Sequence, residues 1–168
     1  MALQISEEVK EAIYRAWLPA LMTSLLAGVK ALPEEHRGAL LTMMCTTCED
    51  LAMAGAVGMQ PGMSWDDYLK YLKEVPPPIG PWTVEQDGDV FDLYYDCSLG
   101  EDGKPQCHCP LVQLGLMEPE PYCCDSGARM SGRMIGGAKN RRVEKVEVID
   151  SAARTGAPIC HYRVRLST

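Results

Sequence analysis

The chain has 168 residues, 46% of them hydrophobic and 23% charged, enough for one domain with a core of its own. A net charge of −7 argues against a nucleic-acid partner, which needs a basic footprint. No uninterrupted apolar run reaches the roughly 18 residues of a membrane span, and Met1 to Glu8 lacks the basic start and apolar stretch of a signal peptide. The expectation is a cytoplasmic protein without a membrane partner.

Residues 6–32 carry helical periodicity. Ser6 is placed to cap, Glu7 and Glu8 suit the positive first turn, and Val9, Ile13, Trp17, Leu21, Leu25 and Val29 recur on one face. Pro19 predicts a kink or split inside it. Leu32-Pro33 ends this helix, and a second runs from Glu34 to about Ala56, carrying Leu40, Leu41, Met44, Cys45, Cys48 and Leu51. Ser64 caps a short third helix to about Glu74, with Asp67 where a capping-box acid belongs. Pro76-Pro77-Pro78 is a stiff seam between a helical half (1–75) and a strand-rich half (80–168).

Trp82 to Gln86 and Val90 to Tyr95 predict a hairpin turned at Asp87-Gly88. Asp102-Gly103 predicts a further turn. Asp125 or Ser126 starts a helix through about Ala138 that Gly136-Gly137 stops, with Gly127 and Gly132 allowing close packing. Arg142 to Asp150 and Cys160 to Leu166 alternate as two strands that pair antiparallel. The order implies an α+β fold: a helical N-terminal half packed on an antiparallel sheet with one further helix, enclosing a small-molecule pocket. The run Lys139-Asn140-Arg141-Arg142 reads as a solvated turn, and Asp87, Asp89, Asp92 and Asp96 as a solvated face.

Five of the eight cysteines lie between Cys97 and Cys124, among Gly and Pro. In a reducing compartment they read as buried, metal-bound or redox thiols rather than a disulfide framework. Cys107 and Cys109 share a face in extended chain; adjacent Cys123 and Cys124 point apart in a strand; Cys45 and Cys48 share a helix face. Three or four of Cys97, Cys107, Cys109, Cys123, Cys124 and Cys160 are candidate ligands of zinc or an iron–sulfur cluster, the two centres that all-thiolate sites favour. Cys45 and Cys48 are further candidates. For thiol or hydrolytic chemistry the candidate nucleophiles are Cys123 and Cys124, where a helix dipole lowers thiol pKa, with His108, His161 and Asp125 as bases. Ten methionines suit an adaptable lining for a small organic ligand. The amphipathic first helix lacks a basic polar face and suits a neighbour or a second copy of the chain better than a lipid surface.

The segment Tyr122-Cys123-Cys124-Asp125-Ser126-Gly127, the valine strand Val143 to Val148, and Arg154-Thr155-Gly156-Ala157-Pro158-Ile159-Cys160-His161-Tyr162 together resemble the 4-vinyl reductase domain of small-molecule sensors. With Cys107-His108-Cys109-Pro110-Leu111-Val112 added, the chain is similar to proteins grouped with L-2-amino-thiazoline-4-carboxylic acid hydrolase. The resemblance implies an apolar pocket for a small organic ligand, a homodimer, and in sensor members a zinc ion held by cysteines and a glutamate. Cys123 or Cys124 and Cys160 match two of those cysteines. Ile149 and Ala152 stand where the glutamate and third cysteine belong, so Cys107, Cys109 and Cys97 are the substitutes.

Overall fold

The structure is a computed structural model that describes residues 6–76, 79–97, 107, 109–113, 119 and 121–168. Asp102-Gly103 and His108 lie outside the described residues. The fold is α+β. Helix α1 (Glu7–Lys30) and helix α2 (Glu34–Val57) are joined by a short turn. Pro19 does not split α1. A π-turn at Ile13–Trp17 absorbs it, with the N–H of Leu18 reaching back to the carbonyl of Ile13. The wider turn eases the clash between a proline ring and the carbonyl four residues earlier. Both α1 and α2 are long and apolar enough to cross a membrane by length and composition, although charges interrupt their apolar runs.

A second π-turn (Met53–Val57) closes α2. Its last carbonyls are capped from α3 (Trp65–Glu74): the Tyr68 hydroxyl donates to Val57 O at 2.5 Å, and the Tyr71 hydroxyl donates to Ala56 O. Ser64 caps α3 as expected, accepting from Asp67 N at 3.2 Å.

Strands β1 (Trp82–Asp87) and β2 (Val90–Asp96) form the expected hairpin, turned by Gly88-Asp89, where Gly88 adopts a positive φ of 57°. A short helix α4 (Pro110–Gln113) follows, then α5 (Pro121–Lys139). Strand β3 (Val143–Asp150), a one-turn helix α6 (Ala152–Thr155) and β4 (Ile159–Leu166) complete the chain. The sheet order is β1-β2-β4-β3, antiparallel throughout.

Helix α5 starts at Pro121, four residues before the expected Asp125, which puts Cys123 and Cys124 inside its first turn. It ends at Lys139, close to the expected end, and Gly132 and Gly136 serve contact with β3. A Cβ on Gly132 would stand 2.9 Å from Val146 Cγ2, and one on Gly136 would stand 2.8 Å from Val143 Cγ2. The chain reverses at Asn140, in the left-handed region with φ 49°.

Strand alternation sends Trp82, Phe91, Leu93, Tyr95, Cys160, Tyr162, Val164 and Leu166 to one face, where α5 and α3 cover them with Met134, Ile135, Tyr68 and Leu72. The basic run is tied inward: Lys139 Nζ lies 3.5 Å from the Trp65 ring centroid, and Arg141 pairs with Asp89 at 2.6 Å.

Candidate functional site

The covered face of the sheet ends in thiols. Past β2, Cys97 N–H donates to Pro158 O at 3.0 Å, so the β2–β4 pairing reaches one residue further. Tyr95 stands opposite Cys160 in the register, and Cys97, two residues on, shares its face. The result is a contact between sulfurs 63 residues apart: Cys97 Sγ lies 3.3 Å from Cys160 Sγ. Cys107 and Cys124 are buried as well. Both act electrostatically on Tyr162, and Cys107 acts also on Tyr95. The contact with Cys160, followed by burial, holds the proton on Cys97 and pushes that thiol far above its ordinary range. Burial first, then the neighbouring sulfurs, does the same to the Tyr162 phenol.

The first turn of α5 is clamped to the β3–β4 connection. Cys124 Sγ donates to Ser151 Oγ at 3.1 Å, and Ser151 in turn caps α6 by accepting from Arg154 N at 3.1 Å. Arg154 pairs with Asp125 at 2.5 Å. The helix dipole does not decide the acidity here. Burial pushes the Cys124 thiol up, against the contact with Ser151 and the charge of Arg154. Cys123 is buried beside it. Ile149 sits exposed at a register shift of β3, and Ala152 opens α6.

A second group of thiols lies on the helical side. Cys45 and Cys48, one turn apart on α2, are half-buried, as is Cys109. Cys45 Sγ donates to Tyr122 O at 3.9 Å. Burial pushes the Cys45 thiol up to about 11 and raises Cys48, and the sulfur of Cys109 is the next contributor in both. Cys109 therefore sides with α2, while Cys107, two residues earlier, sides with the sheet.

Beside Cys48 stands a group the sequence reading missed. The carboxylate of Glu49 is buried, 3% exposed, and its Oε1 accepts from Arg129 Nη2 at 2.7 Å, Arg129 Nε at 3.1 Å and Ser126 Oγ at 2.9 Å. Arg133 Nη1 lies 3.9 Å from Oε2 and pairs with Asp50 at 2.7 Å. The only sequence signal was two arginines one turn apart on a helix of small and apolar residues; their partner is 80 residues away.

His161 faces away from the thiols. It neighbours Cys160 in the strand and so points to the opposite face, where its Nε2 lies 2.6 Å from Asp92 Oδ1 and its ring stacks on Tyr94 at 4.5 Å. Arg163 Nε donates to the same oxygen at 2.8 Å. Burial raises the Asp92 carboxyl, but the bonds from Arg163 and His161 outweigh it and hold the group below the usual carboxylate range. His161 is thus part of an ion network on the open face, not a base for the thiol groups.

The eight cysteines are unbridged thiols. Among the described residues, no three His, Cys, Asp or Glu side chains gather closely enough to hold a metal ion as they stand. Thiols and phenols surround the Cys97–Cys160 contact, and the Asp96 carboxylate also acts on Cys97.

No family model matches the chain. In a match that covers 71% of its length, it is 29% identical to elongation factor 4 of Nocardia farcinica (strain IFM 10152). The match spans 22% of that protein.

Proposed function

We propose that this is a small-molecule-binding domain whose ligand lies beside a thiolate-held metal, zinc or an iron–sulfur cluster, nucleated by Cys97 and Cys160 and completed by Cys107 and Cys124. The observation that carries it is the 3.3 Å sulfur contact at the buried end of the sheet. Two thiolates on one zinc stand roughly 3.7 Å apart, given bonds of about 2.3 Å, so the pair needs only a small separation. The contact with Cys160 holds the Cys97 thiol protonated and burial pushes the Cys124 thiol up, and a metal ion would supply the charge that a thiolate there lacks. The thiazoline hydrolase reading uses either a reactive thiolate at Cys123 or Cys124 or a metal-activated water, and the upward push on Cys124 speaks against the thiolate route at that residue. Eight unbridged thiols support a reducing, cytoplasmic setting. The match to elongation factor 4 is not adopted as a function, since it spans 22% of that protein.

Metal analysis of protein prepared without air tests the proposal. The expected result is about one zinc per chain, or visible absorption from an iron–sulfur cluster, removed by the Cys97→Ala, Cys160→Ala double variant. Less than roughly 0.2 metal per chain in the wild type overturns it.

The reading includes a homodimer. Tyr14, Trp17, Leu18, Leu21 and Leu25 of α1, with Leu40, Met43 and Leu51 of α2, are exposed apolar side chains. Their area is on the order of the roughly 800 Å² that each partner gives to a standard interface. A second copy fits better than lipid, because Glu49 ties α2 to α5 and the charged start of α1, Glu7, Glu8, Lys10 and Glu11, is mainly acidic. Light scattering is expected to show a dimer that Trp17→Glu with Leu21→Glu converts to a folded monomer. A monomeric wild type at about 100 µM removes this part of the reading.

A further inference from the structure

The two sulfurs that meet at the end of the sheet are close enough to react with each other. Cys97 and Cys160 are free thiols, 3% and 1% exposed, with their Sγ atoms 3.3 Å apart. The Tyr95 carbonyl oxygen, at 3.9 Å, is a more distant partner for the Cys97 sulfur, so Cys160 is the nearer of the two. A disulfide holds its sulfurs about 2.05 Å apart, and closing the contact by roughly 1.3 Å forms one.

The backbone sets the kind of bond that results. Cys97 N–H donates to Pro158 O at 3.0 Å, and Tyr95, two residues before, pairs with Cys160. The cysteines are therefore diagonal neighbours on adjacent antiparallel strands, facing the same side of the sheet. Diagonal neighbours stand wider apart in the backbone than the pairs most disulfides bridge, so a bond here carries strain and is readily reduced. Such a bond suits a reversible couple better than a structural crosslink. The pair also sits where the ladder opens first: Asp96 ends β2, Ile159 begins β4, and the ends of elements fray before their middles, which admits a small oxidant. The neighbouring sulfur decides the product. A thiol oxidises to a sulfenic acid, and a sulfenic acid touching a second thiol condenses to a disulfide before it oxidises further.

We propose that Cys97 and Cys160 are a reversible redox couple, closed to a disulfide by hydrogen peroxide and opened again by a small dithiol. In the closing reaction one thiol releases its proton and its sulfur attacks a peroxide oxygen. The O–O bond breaks, water leaves with that proton, and the sulfur becomes a sulfenic acid. The second sulfur then attacks the sulfenic sulfur, the S–O bond breaks, and the hydroxyl leaves as water with the second thiol's proton. The two thiols lose two electrons, and the peroxide is reduced to two waters. A dithiol reverses this by exchange, becoming a disulfide itself as both cysteines regain their protons. The couple goes beyond the metal reading and does not depend on it, but closing it takes both sulfurs away from any metal centre.

The test uses the full wild-type chain, prepared without air and freed of metal by a chelator. Hydrogen peroxide is added in roughly tenfold molar excess, remaining thiols are blocked with iodoacetamide, and the peptides are mapped by mass spectrometry. The expected result is a Cys97–Cys160 link in most chains, with the loss of two hydrogens, that dithiothreitol removes. The couple is overturned if both residues are recovered as free thiols, if either is recovered as sulfinic or sulfonic acid, or if either is linked to another cysteine. Zinc measured on the same preparation before chelation separates this couple from the metal reading. The link without zinc sinks the metal centre alone, and one zinc per chain without the link sinks the couple alone. Where both are found, peroxide is expected to release the zinc as the link forms, and zinc retained by linked protein places the metal elsewhere.

Discussion

Glu49→Ala is expected to destabilise the protein by about 2–3 kcal/mol and to loosen α2 from α5. The carboxylate is almost wholly buried and accepts two bonds from Arg129 and one from Ser126. Removing one partner of a fully buried ion pair costs roughly 3–5 kcal/mol, since the other charge is left uncompensated. Here the arginines keep 40% and 42% of their side chains in water, which lowers the expected cost. Leu51 and Cys48 flank the site on the same helix, so the helix itself should persist while its attachment weakens. Glu49→Gln, which keeps the shape and one acceptor, is expected to lose about half as much. Urea unfolding reads both values. A midpoint for Glu49→Ala within error of wild type means the carboxylate is not the link between these helices. The same variant should make Cys45 and Cys48 more accessible to a thiol reagent, because Cys45 packs on the Tyr122 carbonyl at the helix crossing.

Gly132→Val is expected to cost about 1–3 kcal/mol, while Gly137→Ala, five residues on, is expected to stabilise by about 0.5–1 kcal/mol. The opposite signs follow from what each Cβ meets. At Gly132 it stands 2.9 Å from Val146 Cγ2 and 3.7 Å from Val143 Cγ1, on a stiff β-branched wall. At Gly137 nothing lies within 4 Å, and alanine only relieves the entropic cost of glycine inside a helix. Pushing α5 off β3 also moves its first turn, where Cys124 bonds Ser151 and Asp125 pairs with Arg154. Gly132→Val should therefore make Cys124 more accessible to a thiol reagent as well as lower stability. Thermal unfolding checks the signs, and equal melting temperatures for Gly132→Val and wild type contradict the close approach.

The helices, the hairpin and the two terminal strands were legible because each depends on neighbours within a few residues. Ser6 and Ser64 accept from backbone N–H groups three positions on. The alternation of Phe91, Leu93 and Tyr95 is itself the record of which face is covered. The misreadings have local causes too. Pro19 was expected to kink or split a helix, and a π-turn carries the helix past it. The end of α5 near Gly136-Gly137 was legible, but not that Gly136 also admits a valine methyl of β3. The dipole argument for Cys123 and Cys124 left out burial, which a sequence does not show and which pushes the Cys124 thiol up.

By itself, the amino-acid sequence determined the α+β class, the antiparallel pairing of β1 with β2 and of β3 with β4, and the presence of many thiols around turn-rich chain. The tertiary structure alone decided which of them meet. Insertion of β4 between β2 and β3 brings Cys160 to Cys97, and the crossing of α2 on α5 brings Glu49 to Arg129. Periodicity reports contacts a few residues away, whereas these pairs are separated by 63 and 80 residues, and only strand order, register and helix crossing place them side by side.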